Sequence, residues 1–194
     1  MKRIALDIET NLAHDVIHVC VTKDVDTGET RVWKAQDGLQ AYLKDATLII
    51  AHNGIFFDFP VLNRLWKTKI GRKKGYDTLV VSRLLEPTRE KGHSLDAWGE
   101  ELGVKKVNYK AVWQWMMNRT EEYPNECFDN PIDGLLEFYC RRDVDVLCSL
   151  YHRLSDQLSR KAFSDASVEL EHSVAAIIAQ QERDRKSTRL NSSH

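Results

Sequence analysis

Two carboxylates lie two residues apart near the amino terminus, at Asp7 and Glu9. The apolar residues Ile4, Leu6 and Ile8 alternate with them, which predicts a strand, and residues i and i+2 of a strand point to the same face. Two like charges held side by side destabilise a fold unless a cation lies between them, and Mg²⁺ or Mn²⁺ prefers such oxygen ligands. The pair indicates a metal site; the alternative is two solvated acids at an exposed strand end.

A second candidate group occupies residues 52–60, with the sequence His-Asn-Gly-Ile-Phe-Phe-Asp-Phe-Pro. It follows a predicted buried strand at Leu48–Ala51, and its Pro60 is typical of the first turn of a helix. Asn53 and Asp58 therefore lie at the carboxyl end of a strand, where open α/β sheets bind their ligands. Taken alone, this group favours a helix cap as the role of Asp58, because that is the commonest role of aspartate at such a position.

The third candidate group lies on a predicted long helix, where Tyr139 precedes Asp143 by four residues. Positions i and i+4 share one helix face, so the phenol and the carboxylate point the same way. Asp145 is the competing acid, but six residues from Tyr139 it lies off that face. The alternative is that Asp143 pairs with a neighbouring arginine and that Tyr139 packs in the core.

The elements around these groups alternate between strands and helices. Strands are predicted at 4–9, 16–21, 30–34 and 48–51, and helices at 39–43, from 60, at 94–102 and over the last third of the chain. Periodicity does not settle residues 76–85, and residues 104–133 are less regular. Three early strands followed by alternating helices predict an α/β fold with a mixed sheet and helices on its faces.

Composition narrows the class of protein. The 194 residues are 42% hydrophobic and 29% charged, as in globular proteins, and include no apolar run long enough to span a membrane. The net charge of −1 excludes a broadly cationic nucleic-acid-binding surface. Four cysteines without CxxC spacing predict neither a disulfide scaffold nor a zinc site, so we expect a reducing cytoplasm.

Residues 184–194, with the sequence DRKSTRLNSSH, have no apolar periodicity. This string matches the translation of a common sequencing adapter along its whole length. We therefore interpret it as read-through that is not native, and exclude it from the fold. We expect the natural polypeptide to continue beyond Arg183.

Together, the three groups resemble the DEDD superfamily of 3′→5′ exonucleases, which has a ribonuclease H-like fold. The shared motifs are DxE, HNGxxFDxPxL and YxxxD, and the tyrosine at 139 points to the DEDDy subgroup. The sequences from Asp77 to Leu84, from His93 to Gly99 and from Leu170 to Arg183 resemble segments of phage family A DNA polymerases. The resemblance spans residues 3–183 and implies their proofreading domain.

The resemblance implies a mechanism with two divalent metal ions, Mg²⁺ or Mn²⁺. Asp7 would bridge both ions, while Glu9 and Asp143 would complete the site of the ion that activates water. Asp58 would support the second ion, and Tyr139 would orient the attacking hydroxide. The product would be a nucleoside 5′-monophosphate. Substrate contacts are predicted for Asn53, Phe57, Lys67, Lys69, Arg72, Lys73 and Lys74, the last five as a basic run along the phosphates.

The predicted organisation is an exonuclease domain at 1–158 and, at 159–183, the start of a helical connection to a polymerase domain. The predicted partners are a single-stranded DNA 3′ end, that polymerase domain and a processivity factor. The protein is expected to be of phage or metagenomic origin and to act in the cytoplasm of a bacterial host. Two alternatives remain: a stand-alone exonuclease acting on RNA or DNA, and a non-catalytic nucleic-acid-binding module.

Overall fold

The computed structural model describes residues 2–119 and 125–191, with side chains as far as residue 185. Its strands are β1 (Arg3–Thr10), β2 (Ile17–Asp24), β3 (Thr30–Trp33), β4 (Leu48–Ala51) and β5 (Gly75–Asp77). Its helices are α1 (Leu39–Lys44), α2 (Asp58–Leu65), α3 (Thr78–Leu85), α4 (Leu95–Leu102), α5 (Tyr109–Met116), α6 (Glu126–Asp129), α7 (Asp133–Arg160) and α8 (Asp165–Asn191).

The strands form one mixed sheet in the order β3-β2-β1-β4-β5. The antiparallel pairs β1–β2 and β2–β3 come from short connections, whereas β4 and β5 run parallel to β1 and are reached through helices. Strand β1 is therefore central. The carboxyl ends of β1, β4 and β5 meet at one edge of the sheet, which confirms the predicted α/β fold with a mixed sheet flanked by helices.

The sheet divides the core into two layers, and β1 contributes to both. Ile4, Leu6 and Ile8 are buried against α1 and α2, whereas Ala5 is buried against α7 on the opposite face. Side chains of a strand alternate between its faces, so Asp7 follows Ala5 on the α7 side. The pattern that makes β1 a strand therefore also directs the acidic pair toward α7.

The segment from 76 to 85, which periodicity left undecided, divides between β5 and α3. Asp77 ends the strand and caps the helix, because its carboxylate accepts a hydrogen bond from the Leu79 N–H. Helix α4 ends at Gly103, whose φ of 70° is the left-handed conformation typical of a helix terminus. The irregular region before α7 contains the short helices α5 and α6, and the undescribed residues 120–124 lie between them.

The predicted boundary at residue 158 falls within the last turn of α7, which continues to Arg160. Helix α8 then covers the predicted connection at 159–183 from residue 165 onward, and it continues through residue 191 of the segment that matches adapter sequence. No helix among the described residues is both long enough and apolar enough to cross a membrane.

Candidate active site

Asp7 and Glu9 lie on the carboxyl half of β1 and are half-buried. Both face α7, because they share the strand face of Ala5. The interpretation as solvated acids at an exposed strand end is therefore wrong: burial raises the pKa of Asp7 to about 7 and that of Glu9 well above its ordinary value. Carboxylates that are buried in this way stay ionised only when a cation compensates their charge.

Asp58 is the first residue of α2, which begins where the chain leaves the carboxyl end of β4. Its side chain is 3% exposed, and its Oδ1 is buried without a hydrogen-bond partner among the described residues. The N-cap position belongs to Phe57, and no side chain caps the helix there, so the capping interpretation of Asp58 is wrong. A buried carboxylate oxygen without a partner is costly, and a metal ion is the ordinary means of satisfying it.

Asp143 and Tyr139 come from α7, one turn apart on the face that packs on the sheet. Asp143 is 4% exposed, and its Oδ1, like that of Asp58, is buried without a hydrogen-bond partner among the described residues. Tyr139 is half-buried, and its ring stacks on Tyr109 of α5 with 5.5 Å between the ring centroids. Tyr139 therefore packs on one side while its hydroxyl points toward the acids.

The four carboxylates are electrostatic neighbours. Desolvation is the largest cause of the raised pKa of Asp7, and the charge of Asp143 is the next. Glu9 is affected by the charges of Asp7, Asp143 and Asp58, and Asp58 is affected by Asp7. Like charges in a desolvated cluster raise one another's pKa. The structure thus brings together acids from β1, α2 and α7, which are as much as 136 residues apart in the sequence.

Lys106, in the segment between α4 and α5, reaches into this cluster and was missed by the sequence analysis. Its Nζ lies 2.6 Å from Asp143 Oδ2 and 3.2 Å from the Tyr139 hydroxyl, and its side chain is 15% exposed. Its positive charge lowers the pKa of Asp143 and so opposes the effect of burial. The run Val104-Lys105-Lys106-Val107 has no periodicity that distinguishes one lysine from the other.

Cys140 is a second residue that the sequence analysis did not assign to the site. Its thiol is fully buried on α7 and lies 3.4 Å from Asp7 Oδ2 and 3.5 Å from the Asp7 backbone oxygen. The S–H group is a weak donor, and burial beside the acids raises its pKa well above the ordinary value. The thiol therefore contacts Asp7 from the α7 side and orients its carboxylate.

The predicted substrate residue Asn53 lies in the loop between β4 and α2. Its φ is 65°, a left-handed conformation that asparagine tolerates better than most residues. The next residue, Gly54, has no room for a side chain, because an added Cβ would lie 2.5 Å from the Ala51 Cβ. Burial lowers the pKa of His52 to about 4, and its Nδ1 lies 2.9 Å from the Thr78 hydroxyl.

Phe57 and the basic run differ in their distance from the acids. Phe57 immediately precedes Asp58 and is half-buried, with its ring edge-on to His14 at 4.9 Å. The run from Lys67 to Lys74 leads into the amino end of β5. By the strand register, Lys74 lies level with Arg3 of β1, and Arg3 is about 13 Å from Asp7 along that strand. The structure does not bring Lys67, Lys69, Arg72, Lys73 and Lys74 to the carboxylates.

Asp145, the competing acid on α7, is occupied elsewhere. It forms ion pairs with Lys23 at 2.7 Å and with Arg142 at 3.0 Å. Its side chain is one-third exposed, so it has neither the burial nor the carboxylate neighbours of Asp143. Asp143 is the acid that α7 contributes to the cluster.

The donor set fits hard divalent cations. Four acids supply only oxygen ligands, and two of their oxygens are buried without a hydrogen-bond partner in the described part of the chain. Mg²⁺ and Mn²⁺ prefer carboxylate and water ligands, whereas the zinc sites of proteins are richer in histidine and cysteine. Asp7 and Glu9 also form, with the Cys140 sulfur, a group whose ligand atoms lie within 4.8 Å of one another.

Comparison with known sequences relates the chain to DNA polymerases. It is 28% identical to the DNA-directed DNA polymerase of Escherichia phage T7 over an alignment of 240 residues, and 29% identical to that of Enterobacteria phage T3 over 237. The alignments include 93% and 92% of this chain but 32% of each polymerase. The chain thus spans about one third of the length of these relatives, and no protein family model matches it.

Comparison with solved structures relates the fold to nucleases. The apo form of a nuclease matches with a TM-score of 0.65 and 21% identity, and NrnC from Brucella melitensis with 0.63 and 20%. Each match covers 93% of this chain and 84% of the other. The predicted resemblance to phage DNA polymerases is confirmed, and the mixed sheet flanked by helices is similar to the folds of these nucleases.

Proposed function

We propose that this protein is a metal-dependent 3′→5′ exonuclease that releases nucleoside 5′-monophosphates from DNA ends. The observation that carries the proposal is the cluster of Asp7, Glu9, Asp58 and Asp143 at one edge of the sheet, with two buried oxygens that lack protein partners among the described residues. A non-catalytic binding module has no use for four desolvated like charges, which destabilise it. The similarity to phage DNA polymerases and to nuclease folds supports the same conclusion.

Two divalent metal ions are the proposed cofactors, held by the four acids. Asp7 would hold the ions together with Glu9, Asp58 and Asp143, since its charge interacts with those of the other three acids. Bound Mg²⁺ or Mn²⁺ ions supply an activated water and stabilise charge on the leaving 3′ oxygen. The protein's own contribution is to hold the four acids in place in a partly dry site, where Lys106 lowers the pKa of Asp143 against the effect of burial.

Tyr139 orients the attacking water in this proposal. Burial and the charges of Asp143, Glu9 and Asp7 raise the pKa of its hydroxyl far above the ordinary value, so it stays protonated and acts as a hydrogen-bond donor or acceptor rather than as a base. We expect Tyr139→Phe to lower kcat by about 100-fold, because one preorganised hydrogen bond is lost, with little change in metal affinity. Steady-state kinetics and Mn²⁺ titration measure the two effects; a fall in metal affinity equal to the fall in kcat would contradict this role.

Lys106 keeps Asp143 ionised in this proposal. Because the lysine lowers the pKa of that carboxyl, removing its charge raises the pKa, and metal binding then requires a higher pH. We expect Lys106→Met to reduce the rate at pH 7 by about tenfold and to recover activity as the pH rises toward 9. The pH–rate profile of each protein is the measurement. A rate loss that is constant across pH would show that Lys106 does not act through the pKa of Asp143. The matched control is Lys105→Met.

Proofreading within a DNA polymerase is the proposed biological context, with residues 1–158 as the exonuclease domain and 159–183 leading to a polymerase domain. The phage polymerases that match this chain support it. The proposed partners are a single-stranded DNA 3′ end, the polymerase domain and a processivity factor, in the cytoplasm of a bacterial host. Asn53 and Phe57 are proposed to contact the terminal nucleotide, and the basic run to contact only nucleotides farther upstream.

Product and substrate analysis test this function. Chromatography of the products from single-stranded DNA is expected to show nucleoside 5′-monophosphates, and a primer with a mismatched 3′ end to be shortened faster than a matched one. RNA degraded as fast as DNA would instead favour the second candidate, a stand-alone exonuclease, which the likeness to NrnC over most of both chains supports. Longer oligonucleotides as the first products would contradict an exonuclease of either kind.

A further inference from the structure

Helix α8 makes a specific contact with the sheet edge that leads to the site. His172 is 8% exposed, and its Nε2 accepts a hydrogen bond of 2.7 Å from the backbone N–H of Asp77, the last residue of β5. Its Nδ1 lies 2.7 Å from the Val168 carbonyl oxygen and must therefore carry the proton. These two bonds fix the neutral tautomer, and the ring also packs on Tyr76 with 5.1 Å between centroids.

Asp77, whose N–H donates to His172, lies in an edge strand of the described sheet. Strand β5 is the last strand of the sheet and pairs only with β4 among the described strands. The N–H groups on the outer side of an edge strand have no sheet partner, and a buried N–H without a partner destabilises the fold. His172 provides the acceptor for the Asp77 N–H, so it fixes the end of β5.

Asp77 in turn holds the loop that precedes Asp58. Its carboxylate accepts hydrogen bonds from the backbone N–H of Asn53 at 2.9 Å, of Ile55 at 3.0 Å and of Leu79 at 2.9 Å. Asp77 itself is fully buried. One side chain therefore connects the end of β5, the start of α3 and the loop of the second candidate group.

The loop needs such an anchor. Asn53 is held in the left-handed region, and the backbone at residue 54 passes so close to Ala51 that only glycine fits. Asp58 follows Asn53 by five residues, and its Oδ1, which has no hydrogen-bond partner among the described residues, must keep its place among the other acids. A displacement of about 1 Å at a catalytic group lowers a rate by up to about 100-fold.

We infer that His172 is a positioning residue for the exonuclease site: through Asp77 it holds the Asn53–Asp58 loop in the conformation that places Asp58. The inference rests on the proposed function and extends it, because His172 lies in the segment 159–183 that was predicted to be only a connection. Helix α8 is then part of the catalytic unit, and a protein that ends at residue 158 lacks the residue that secures the loop.

Two substitutions separate the hydrogen bond from the packing of the ring. Gln at position 172 keeps an acceptor near the place of Nε2, whereas Asn keeps only a donor near the place of Nδ1. We expect His172→Asn to lower kcat by about 10- to 100-fold and His172→Gln to retain activity within about threefold of the original. Leu170→Ala, at an exposed position on the same helix, is the matched control. Circular dichroism at the assay temperature verifies that each variant is folded.

Amide hydrogen exchange tests the same link without any activity. In His172→Asn the N–H groups of Asn53 and Ile55 are expected to exchange at least about tenfold faster than in the original chain, and in His172→Gln to remain protected. Equal exchange and equal kcat in the original chain and His172→Asn would overturn the inference, as would equal losses in the Asn and Gln variants. If the original chain cleaves no nucleic acid, the proposed function is overturned instead. The hydrogen-exchange result still tests whether His172 holds the Asn53–Asp58 loop.

Discussion

Asp7→Asn is expected to abolish nuclease activity, with a loss of about a thousandfold or more, while the fold becomes more stable. The substitution keeps the size of the side chain but removes a charge that interacts with those of all three other acids. A thousandfold loss corresponds to about 4 kcal/mol of transition-state stabilisation. Rates on a single-stranded oligonucleotide with Mg²⁺ measure the loss.

The stability of the same variant has an expected sign. Asparagine resembles the protonated form of Asp7, so at pH 8 the variant avoids the cost of a buried charge, whereas at pH 5 the original residue is already protonated. We expect the free energy of unfolding to rise on the order of 1–3 kcal/mol at pH 8 and to change little at pH 5. A variant that kept its activity, or that was less stable at pH 8, would contradict the assignment of Asp7.

Asp145→Asn is the matched control on α7. It removes ion pairs to Lys23 and Arg142 that are partly exposed, and such pairs contribute about 0–1 kcal/mol. We expect activity within about twofold of the original, since Asp145 lies outside the carboxylate cluster. A large loss of activity in Asp145→Asn would reopen the choice between the two acids of α7.

Divalent metal ions are expected to stabilise the fold much more at pH 8 than at pH 5.5. Without metal, the unfolded carboxyls lose their protons near pH 4, whereas folded Asp7 keeps its proton to about pH 7. The folded state thus binds more protons across this window, and the free energy of unfolding falls as the pH rises. Mn²⁺ or Mg²⁺ binds the ionised acids and reverses that loss.

The size of the metal effect follows from mass action. An ion at a hundred times its Kd contributes about 2.7 kcal/mol, which raises Tm by about 5–10 °C in a chain of this length. Calorimetric scans with and without Mn²⁺ at both pH values measure it, and Asp58→Asn is the variant expected to reduce the shift. An equal shift at the two pH values, or none at pH 8, would contradict a metal site built from these acids.

The elements of the fold could be predicted because local patterns determine them, whereas the acidic set followed from the resemblance of the three motifs taken together. Period two in β1 fixes the face of Asp7 and Glu9, and the spacing of four on α7 fixes the face of Tyr139 and Asp143. The strand-to-helix junction before Asp58 follows from the apolar run of β4 and from Pro60. Each of these signals is a pattern within about ten consecutive residues, which is the range over which periodicity and turn-forming residues determine local structure.

The residues that sequence reasoning missed act over long distances in the chain. Lys106 lies 37 residues before its partner Asp143, and His172 lies 95 residues after its partner Asp77. Nothing in the flanking sequence distinguishes either residue from an exposed lysine or a histidine on a helix. The basic run is conspicuous in the sequence but lies toward the far end of the strands from the acids, and its contact with phosphates stays a prediction.

The most direct test of the central claim is the digestion of a 5′-labelled single-stranded DNA oligonucleotide by the original chain and by Asp7→Asn. Each is incubated with Mg²⁺, with Mn²⁺ or with EDTA, and the labelled products are resolved by length. The account predicts a ladder that shortens from the 3′ end with either metal, and no ladder with EDTA or with the variant. A ladder that persisted in EDTA or in Asp7→Asn would contradict the claim that these carboxylates form a metal-dependent exonuclease site.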